Sequence, residues 1–378
     1  EGRNCMKRNL KPVILVALLV LALLLLAACG QPSSAPEQRT ADSKGDTVEV
    51  TDASGRKVTI PAPDKLERVY PTGTNSLVAL YTIAPDKLTA APNNAPSPFS
   101  EGQKKFLHPS VHDLPNYGTQ SGNGTLNLEA IKAGNVQVLL GGTVGKATQN
   151  DISSADELQA QLQIPVVLIS GDMKDFAETY AFLGRMLGCE EEAEKLTAYC
   201  QDILDKVTAA SAQIPAEERT TLYYAEGADG LATEPPNSSR SVVFNKAGAR
   251  NIAEVDALPG FGQTAVSMEQ VLNWNPEVII VQGGSDAYNK IKTDPTWSTI
   301  DAVKNGRVYK MPDTPFSWAD RPPSVNRFIG LHWVAHLLYP DLYDIDMIEA
   351  AQDYYKVMYH VDVSRADMEE LLKDSLPN

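Results

Sequence analysis

Two stretches of the chain, 140 residues apart, run side by side without a gap. Leu126-Asn127-Leu128-Glu129-Ala130-Ile131-Lys132-Ala133-Gly134-Asn135-Val136-Gln137-Val138-Leu139-Leu140 stands against Val266-Ser267-Met268-Glu269-Gln270-Val271-Leu272-Asn273-Trp274-Asn275-Pro276-Glu277-Val278-Ile279-Ile280. Each reads as a helix start with a polar cap (Asn127, Ser267), a glutamate in the first turn, a turn around an asparagine, and a buried strand. A unit of that kind, repeated once, directs the chain toward two similar α/β lobes. The field at a helix N-terminus favours both glutamates by itself. Their equivalent placement also sets two carboxylates on the same side of a two-lobed body.

The rest of the chain fits this plan. Residues 48–60 alternate on both sides of an Asp52-Ala53-Ser54-Gly55 turn, the pattern of a β-hairpin. Short apolar runs at 68–70, 87–91, 136–140 and 166–170 are interleaved with helical stretches at 75–83, where Asn75 is placed as the cap, and 151–162. That is the alternation of a mostly parallel sheet. After helical segments at 175–187 and 191–212, runs at 221–225, 278–281 and 308–311 supply the strands of a second lobe, and helices at 325–338, 345–360 and 365–374 close the chain. The segment 191–212, about 33 Å long at the α-helical rise, sits near the midpoint and suits a rigid connector. The expected fold class is α/β, with an N-terminal lobe at 46–189, a connecting helix at 190–214 and a C-terminal lobe at 215–378. Residues 91–124, rich in Pro, Asn, Ser and Gly, read as a long surface loop near a functional edge.

Ahead of the lobes, Lys7, Arg8 and Lys11 introduce a 16-residue apolar run, 13–28, that ends in Leu26-Ala27-Ala28-Cys29. The run is shorter than the roughly 20 residues that span a bilayer. It resembles a bacterial lipoprotein signal peptide at 1–28, with Met6 as the start. The resemblance implies an acylated Cys29, followed at 29–45 by a flexible tether poor in apolar residues. Two or more acyl chains hold firmly, so the expected location is extracytoplasmic, anchored to the bacterial cell membrane; cleavage without a lipid is the alternative. The formal charge of −15 becomes −18 without residues 1–28, which tells against a nucleic-acid partner. Cys5 lies in the leader. Cys189 and Cys200 flank one helical stretch, about 16 Å apart along its axis, too far to bridge, and both are expected to be reduced and largely buried.

Several motifs narrow the reading. The Asp52-Ala53-Ser54-Gly55-Arg56 hairpin, the helix starts at Asn127 and Ser267, Asn275-Pro276-Glu277-Val278-Ile279-Ile280-Val281, and Trp297-Ser298-Thr299-Ile300-Asp301-Ala302-Val303-Lys304-Asn305-Gly306-Arg307-Val308-Tyr309 occur in order. Over residues 46–374 they resemble the periplasmic substrate-binding proteins of ABC importers for iron-siderophore, haem and cobalamin. The resemblance implies two Rossmann-like α/β lobes joined by a single long helix, a ligand cleft between the lobes, and no catalysis. It further implies a lipid-anchored binding protein partnered by an ABC permease dimer with its ATPase subunits, in which Glu129 and Glu269 pair with basic residues of the two permease halves. No covalent cofactor is implied; a bound metal chelate, an iron complex, is the transported ligand. The departure is Gly134-Asn135-Val136-Gln137, standing where the family has Lys-Pro-Asp.

Ligands of open α/β sheets bind beyond the carboxyl ends of the strands. In the first lobe this nominates Thr72-Gly73-Thr74-Asn75, Tyr117-Gly118-Thr119 and Gly141-Gly142-Thr143. In the second it nominates the loops around Tyr224 and Glu226, around Ser239 and Arg240, at Gly283-Gly284, and at Phe316-Ser317-Trp318-Ala319-Asp320-Arg321. There Phe316 and Trp318 can flank a flat ligand while Arg321 offers a planar fork to an anion, with Pro322-Pro323 opening the next helix. The alternative is that Trp318 packs on its lobe and Arg321 pairs with Asp320. The candidate ligand-binding set is Thr72, Gly73, Thr74, Asn75, Tyr117, Gly118, Tyr224, Glu226, Ser239, Arg240, Trp318 and Arg321.

His332 and His336 enclose a core-like Trp333-Val334-Ala335, and Pro109 interrupts the pair His108 and His112, so no metal held by the protein itself is expected. Enzyme motifs fail. Ala147 replaces the Ser or Thr that a phosphate loop needs, and Ser121 occupies the wrong slot for a nucleophile elbow. No catalytic residues are assigned. Ferric siderophore or haem is the expected cargo; a corrinoid, or an oxyanion such as molybdate, suits Arg321 and the threonine-rich loops equally well. A cell-surface hydrolase or cofactor-processing lipoprotein on the same scaffold is the alternative of another class.

Overall fold

Val48, Val50, Val58 and Ile60 alternate with polar residues, and they place the hairpin. Strands Thr47–Thr51 and Lys57–Pro61 pair antiparallel with Val48 opposite Ile60 and Val50 opposite Val58. Asp52 ties the turn by accepting from the backbone N–H of Ser54 (2.9 Å) and Arg56 (3.1 Å). Its other carboxylate oxygen accepts from the Leu168 N–H at 3.2 Å, so the hairpin is pinned to the edge of the first sheet. The computed structural model describes residues 45–93, 99–121, 124–258 and 262–377. The leader, Cys29 and the tether up to residue 44 lie outside them.

The first lobe is built on three parallel strands, Val69–Pro71, Val138–Thr143 and Val166–Ser170, in that spatial order. The apolar run at 87–91 does not become a fourth. Its neighbour is three residues long and ends at Pro71, so the edge offers a single bridge, Val69 to Leu88. The second lobe has four parallel strands in the order Val308–Lys310, Val278–Val281, Thr221–Ala225 and Arg250–Asn251. The repeat is realised in both lobes: helices Leu128–Ala133 and Met268–Trp274 begin on Asn127 and Ser267, and the strands that follow start at Val138 and Val278. Two α/β lobes with parallel sheets is thus the architecture of the chain.

The helix Glu190–Ser211 links them. Leu196, Cys200, Ile203 and Val207 on its inner face are buried in the largest apolar cluster, between helix Phe176–Leu187 and helix Arg327–Leu338. Cys200 is buried there, Cys189 is half-buried at the helix start, and both are free thiols. The penultimate helix, Met347–Tyr359, crosses back to helix Thr74–Ile83, where the Tyr81 hydroxyl donates to the Tyr359 carbonyl at 2.5 Å. One apolar cluster therefore runs through both lobes, and an interface that large and apolar restrains relative lobe motion. No helix among the described residues is long and apolar enough to cross a membrane.

Candidate ligand cleft

A cavity of about 890 Å³ opens where the carboxyl ends of the two sheets face each other. Its first-lobe wall is the turn from strand Val69–Pro71 into helix Thr74–Ile83. The residue before that helix is Gly73, not Asn75, in an extended conformation; Asn75 lies inside the first turn, and its side chain accepts from the Ser76 N–H at 2.9 Å. The segment 119–121 closes onto this turn through Gln120 N–H to the Thr72 carbonyl (2.7 Å) and Thr74 N–H to the Ser121 hydroxyl (3.1 Å). Gly142 is fixed by the same packing, since a Cβ there would stand 2.5 Å from the Asn75 side chain. The turn thus presents neutral hydroxyls, amides and backbone, and Asp151 from helix Gln149–Leu162 adds a carboxylate to the same wall.

The second-lobe wall is charged. Arg321 donates to Glu234 at 2.9 Å and also contacts Glu226 and Asp320. Arg240 lies 3.3 Å from Asp320 and 3.4 Å from Glu234, and Tyr224 directs its hydroxyl toward Asp320 at 3.5 Å. All three carboxylates are buried, while the two guanidiniums reach the cavity. Behind them Arg327 donates to the carbonyls of Ala319 (3.1 Å) and Ser239 (2.9 Å), and burial lowers its pKa to about 10. Burial pushes the Glu226 carboxyl up to about 8, against the pull of Arg321 and helped by Asp320 and Glu234; burial also raises Asp320.

Of the candidate ligand-binding set, Thr72, Gly73, Thr74, Asn75, Tyr224, Arg240 and Arg321 line this cavity, and so do Thr119, Gly141, Gly142, Thr143, Gly283, Phe316 and Ser317 of the nominated loops. Glu226 stands behind Arg321, and Ser239 serves Arg327 through its carbonyl. Tyr117 and Gly118 also fall outside the lining. Gly118, at φ +83, lets the chain pass Thr125, and Tyr117 lies against Gly134, where a Cβ would be 2.5 Å from its hydroxyl. That contact accounts for glycine at the point where the chain departs from the family's Lys-Pro-Asp.

Trp318 is corrected as well. It is fully buried, donates its indole N–H to the Tyr355 hydroxyl at 3.2 Å and packs edge-on to Trp333. Arg321 meets both sequence expectations, since it reaches the cavity and pairs with Asp320. The following helix starts at Arg327 rather than at the prolines, because a residue before proline is pushed out of the helical region. Sequence reasoning missed Phe99, whose ring meets Phe316 edge to face at 6.3 Å and gives the cavity its aromatic rim. An aromatic directly after the prolines of a polar stretch was the available signal. Among the described residues no group of three or more His, Cys, Asp or Glu is placed to hold a metal ion; His332 is buried and shares a hydrogen with the Tyr343 hydroxyl at 2.6 Å.

Two lobes of parallel sheet, a helical linker and a polar cleft at the strand ends define a solute-binding protein of the periplasmic type. The sequence profile described as periplasmic binding protein matches residues 147–315. An ABC transporter solute binding protein from Sulfurospirillum deleyianum is 31% identical with a TM-score of 0.76, over 86% of this chain and 99% of that one. The molybdate-binding protein MolA of Haemophilus influenzae is 34% identical over 148 residues, 39% of this chain and 40% of that protein. The iron(3+)-hydroxamate-binding protein FhuD of Bacillus subtilis is 26% identical over 314 residues, 80% of this chain and 90% of that one. The chain belongs to the periplasmic binding protein family, as a substrate-binding protein of an ABC importer.

Proposed function

We propose that this substrate-binding protein captures an iron chelate, a ferric siderophore or haem, and delivers it to an ABC permease from a position anchored by lipid on Cys29. The observation that carries the cargo is the cavity: about 890 Å³, with a largely polar first-lobe wall, a pair of arginines and an aromatic rim of Phe99 and Phe316. Pockets of roughly 300–1,000 Å³ suit ligands of that kind. A tetrahedral oxyanion fills on the order of a few water volumes of about 30 Å³ each and leaves most of the space to solvent. The second reading, molybdate, is favoured by the 34% identity to the molybdate-binding protein over 148 residues.

Titration of the full chain with ferric hydroxamate, ferric citrate, haemin and molybdate, followed by the fluorescence of its four tryptophans, separates the two. Saturation by an iron compound at concentrations where molybdate is silent is the expected result. Tight binding of molybdate alone overturns the cargo, and product formation from esters or phosphates overturns the binding role.

Glu129 and Glu269 support delivery. Both are exposed in the first turns of their helices. The helix starts are already capped by the side chains of Asn127 and Ser267, so capping makes no demand on the glutamates. Replacing each by Gln is expected to cost about 1 kcal/mol of stability or less. Replacing both is expected to abolish permease association while ligand affinity stays unchanged, with high salt mimicking the loss. Full transport by the double variant would remove the docking role.

A further inference from the structure

The charged wall of the cleft sets three carboxylates against the two guanidiniums that reach the cavity, and the carboxylates are not equally supported. One Glu234 oxygen receives Arg321 and the Gln263 N–H (3.0 Å) and lies 3.4 Å from Arg240; the other receives the Ser238 hydroxyl at 2.7 Å. Asp320 spreads its charge over Arg240, Arg321 and the Tyr224 hydroxyl. Glu226 has one oxygen on Arg321, and its other, Oε2, is buried without a hydrogen-bond partner among the described residues. A fully buried carboxylate with an empty oxygen, facing two more carboxylates, is the place in this cluster where a proton costs least.

We propose that Glu226 is a proton-carrying specificity residue: an anionic group of the cargo takes up the charge of Arg240 and Arg321 from the cavity side, and where Glu226 is ionised one proton passes to it from solvent as it does so. The inference rests on the reading that these arginines face the cargo. No bond to the ligand is made or broken in the step; one negative charge and one proton enter together, and the buried cluster keeps its net charge. A neutral ligand group makes no such demand.

The groups facing Glu226 are Arg321, Asp320 and Glu234, with Tyr223 and Tyr224 on the strand that it follows and Arg240 and Arg327 beyond Asp320. Burial, ahead of the pull from Arg321, already holds the carboxyl at about 8. Below that pH Glu226 is protonated before binding and little uptake is measurable. Above it the ionised form must be protonated, so affinity for an anion falls as pH rises, by up to about tenfold per pH unit.

The test is calorimetric titration of the full chain with molybdate and ferric citrate as anionic probes and ferric hydroxamate as the neutral control. Each is run at about pH 7 and about pH 9 in buffers of contrasting ionisation heat. The expected result is negligible proton uptake at the lower pH, approaching about one proton per bound anion at the higher, and none for the neutral control. Glu226→Gln is expected to flatten the pH dependence for the anions. The proton count on the unmodified protein decides the matter even if that variant folds poorly. Anion binding without uptake at the higher pH overturns the proposal alone, as does equal uptake by a folded Glu226→Gln. Failure of both anionic probes while ferric hydroxamate binds overturns the anion step and leaves the chelate reading standing; failure of all three, and of haemin as well, overturns both.

Discussion

Arg321→Ala is expected to lower the stability of the protein by about 3 to 5 kcal/mol near neutral pH, the cost of leaving buried charges without their partner. Sequence alone casts Arg321 as a ligand contact or as the partner of Asp320; the structure makes it the centre on which Glu226, Glu234 and Asp320 converge. Its side chain is only 15% exposed, so solvent screening does little to soften the loss. The deficit should shrink at about pH 5, where Asp320, raised by burial and no longer held down by Arg321, takes up a proton in place of the guanidinium; Glu226, at about 8, is already protonated near neutral pH. Arg321→Lys keeps the charge but not the fork and should recover only part of the stability. Urea unfolding of the three proteins at both pH values measures this. The same substitution is expected to weaken an anionic probe by about 1.5 to 3 kcal/mol. Wild-type stability in Arg321→Ala would mean that the carboxylates find other partners and that the cluster is not held by this residue.

What sequence made legible was whatever is decided locally. The β-branched runs at Val278–Val281 and Val166–Ser170 are strands over the residues expected, because an apolar run of that length can do little else between two turns. Asn127 and Ser267 marked helix starts because capping is a contact three residues long. The run at 87–91 has Thr89 as its one β-branched residue, a weaker local signal, and its pairing depended on how far a separate strand extended past Pro71.

The cleft divides in the same way. Thr72 to Asn75 were found because one turn at the end of one strand supplies them all. Glu226, Arg240 and Arg321 were nominated one by one, but Glu234 and the convergence on Arg321 were hidden, since Glu226 and Glu234 reach it across 95 and 87 residues of chain. Trp318 failed for a related reason. Residues 316–321 form no regular element, so nothing in their spacing says that Phe316 faces the cavity while Trp318 turns to Trp333 and Tyr355, which arrive later in the chain.

Gly330 is what lets that segment lie where it does. Glycine inside a helix costs about 0.5–1 kcal/mol relative to alanine, so Gly330→Ala would stabilise helix Arg327–Leu338 if the helix stood alone. It does not: a Cβ at 330 would stand 2.1 Å from the Trp318 carbonyl oxygen and 3.0 Å from its carbon. The backbone there has little room to yield. The Trp318 N–H donates to the Pro312 carbonyl at 3.0 Å, its indole is tied to Tyr355, and the next carbonyl, that of Ala319, is held by Arg327. Overpacking of this kind outweighs the propensity gain, and Gly330→Ala is expected to be destabilised by about 3 kcal/mol.

The segment also carries Phe316 and Arg321 into the cavity, so whichever probe saturates the wild type should bind more weakly to this variant, although residue 330 touches no ligand. Gly102→Ala is the control: the helix Glu101–Lys104 leaves its Cβ 3.9 Å from the nearest atom, and it should be neutral or gain up to about 1 kcal/mol. Urea unfolding and probe titration of the two variants read out both effects. A Gly330→Ala protein as stable as the wild type, with its affinity intact, would show that the segment from 316 to 321 is positioned by contacts other than this helix.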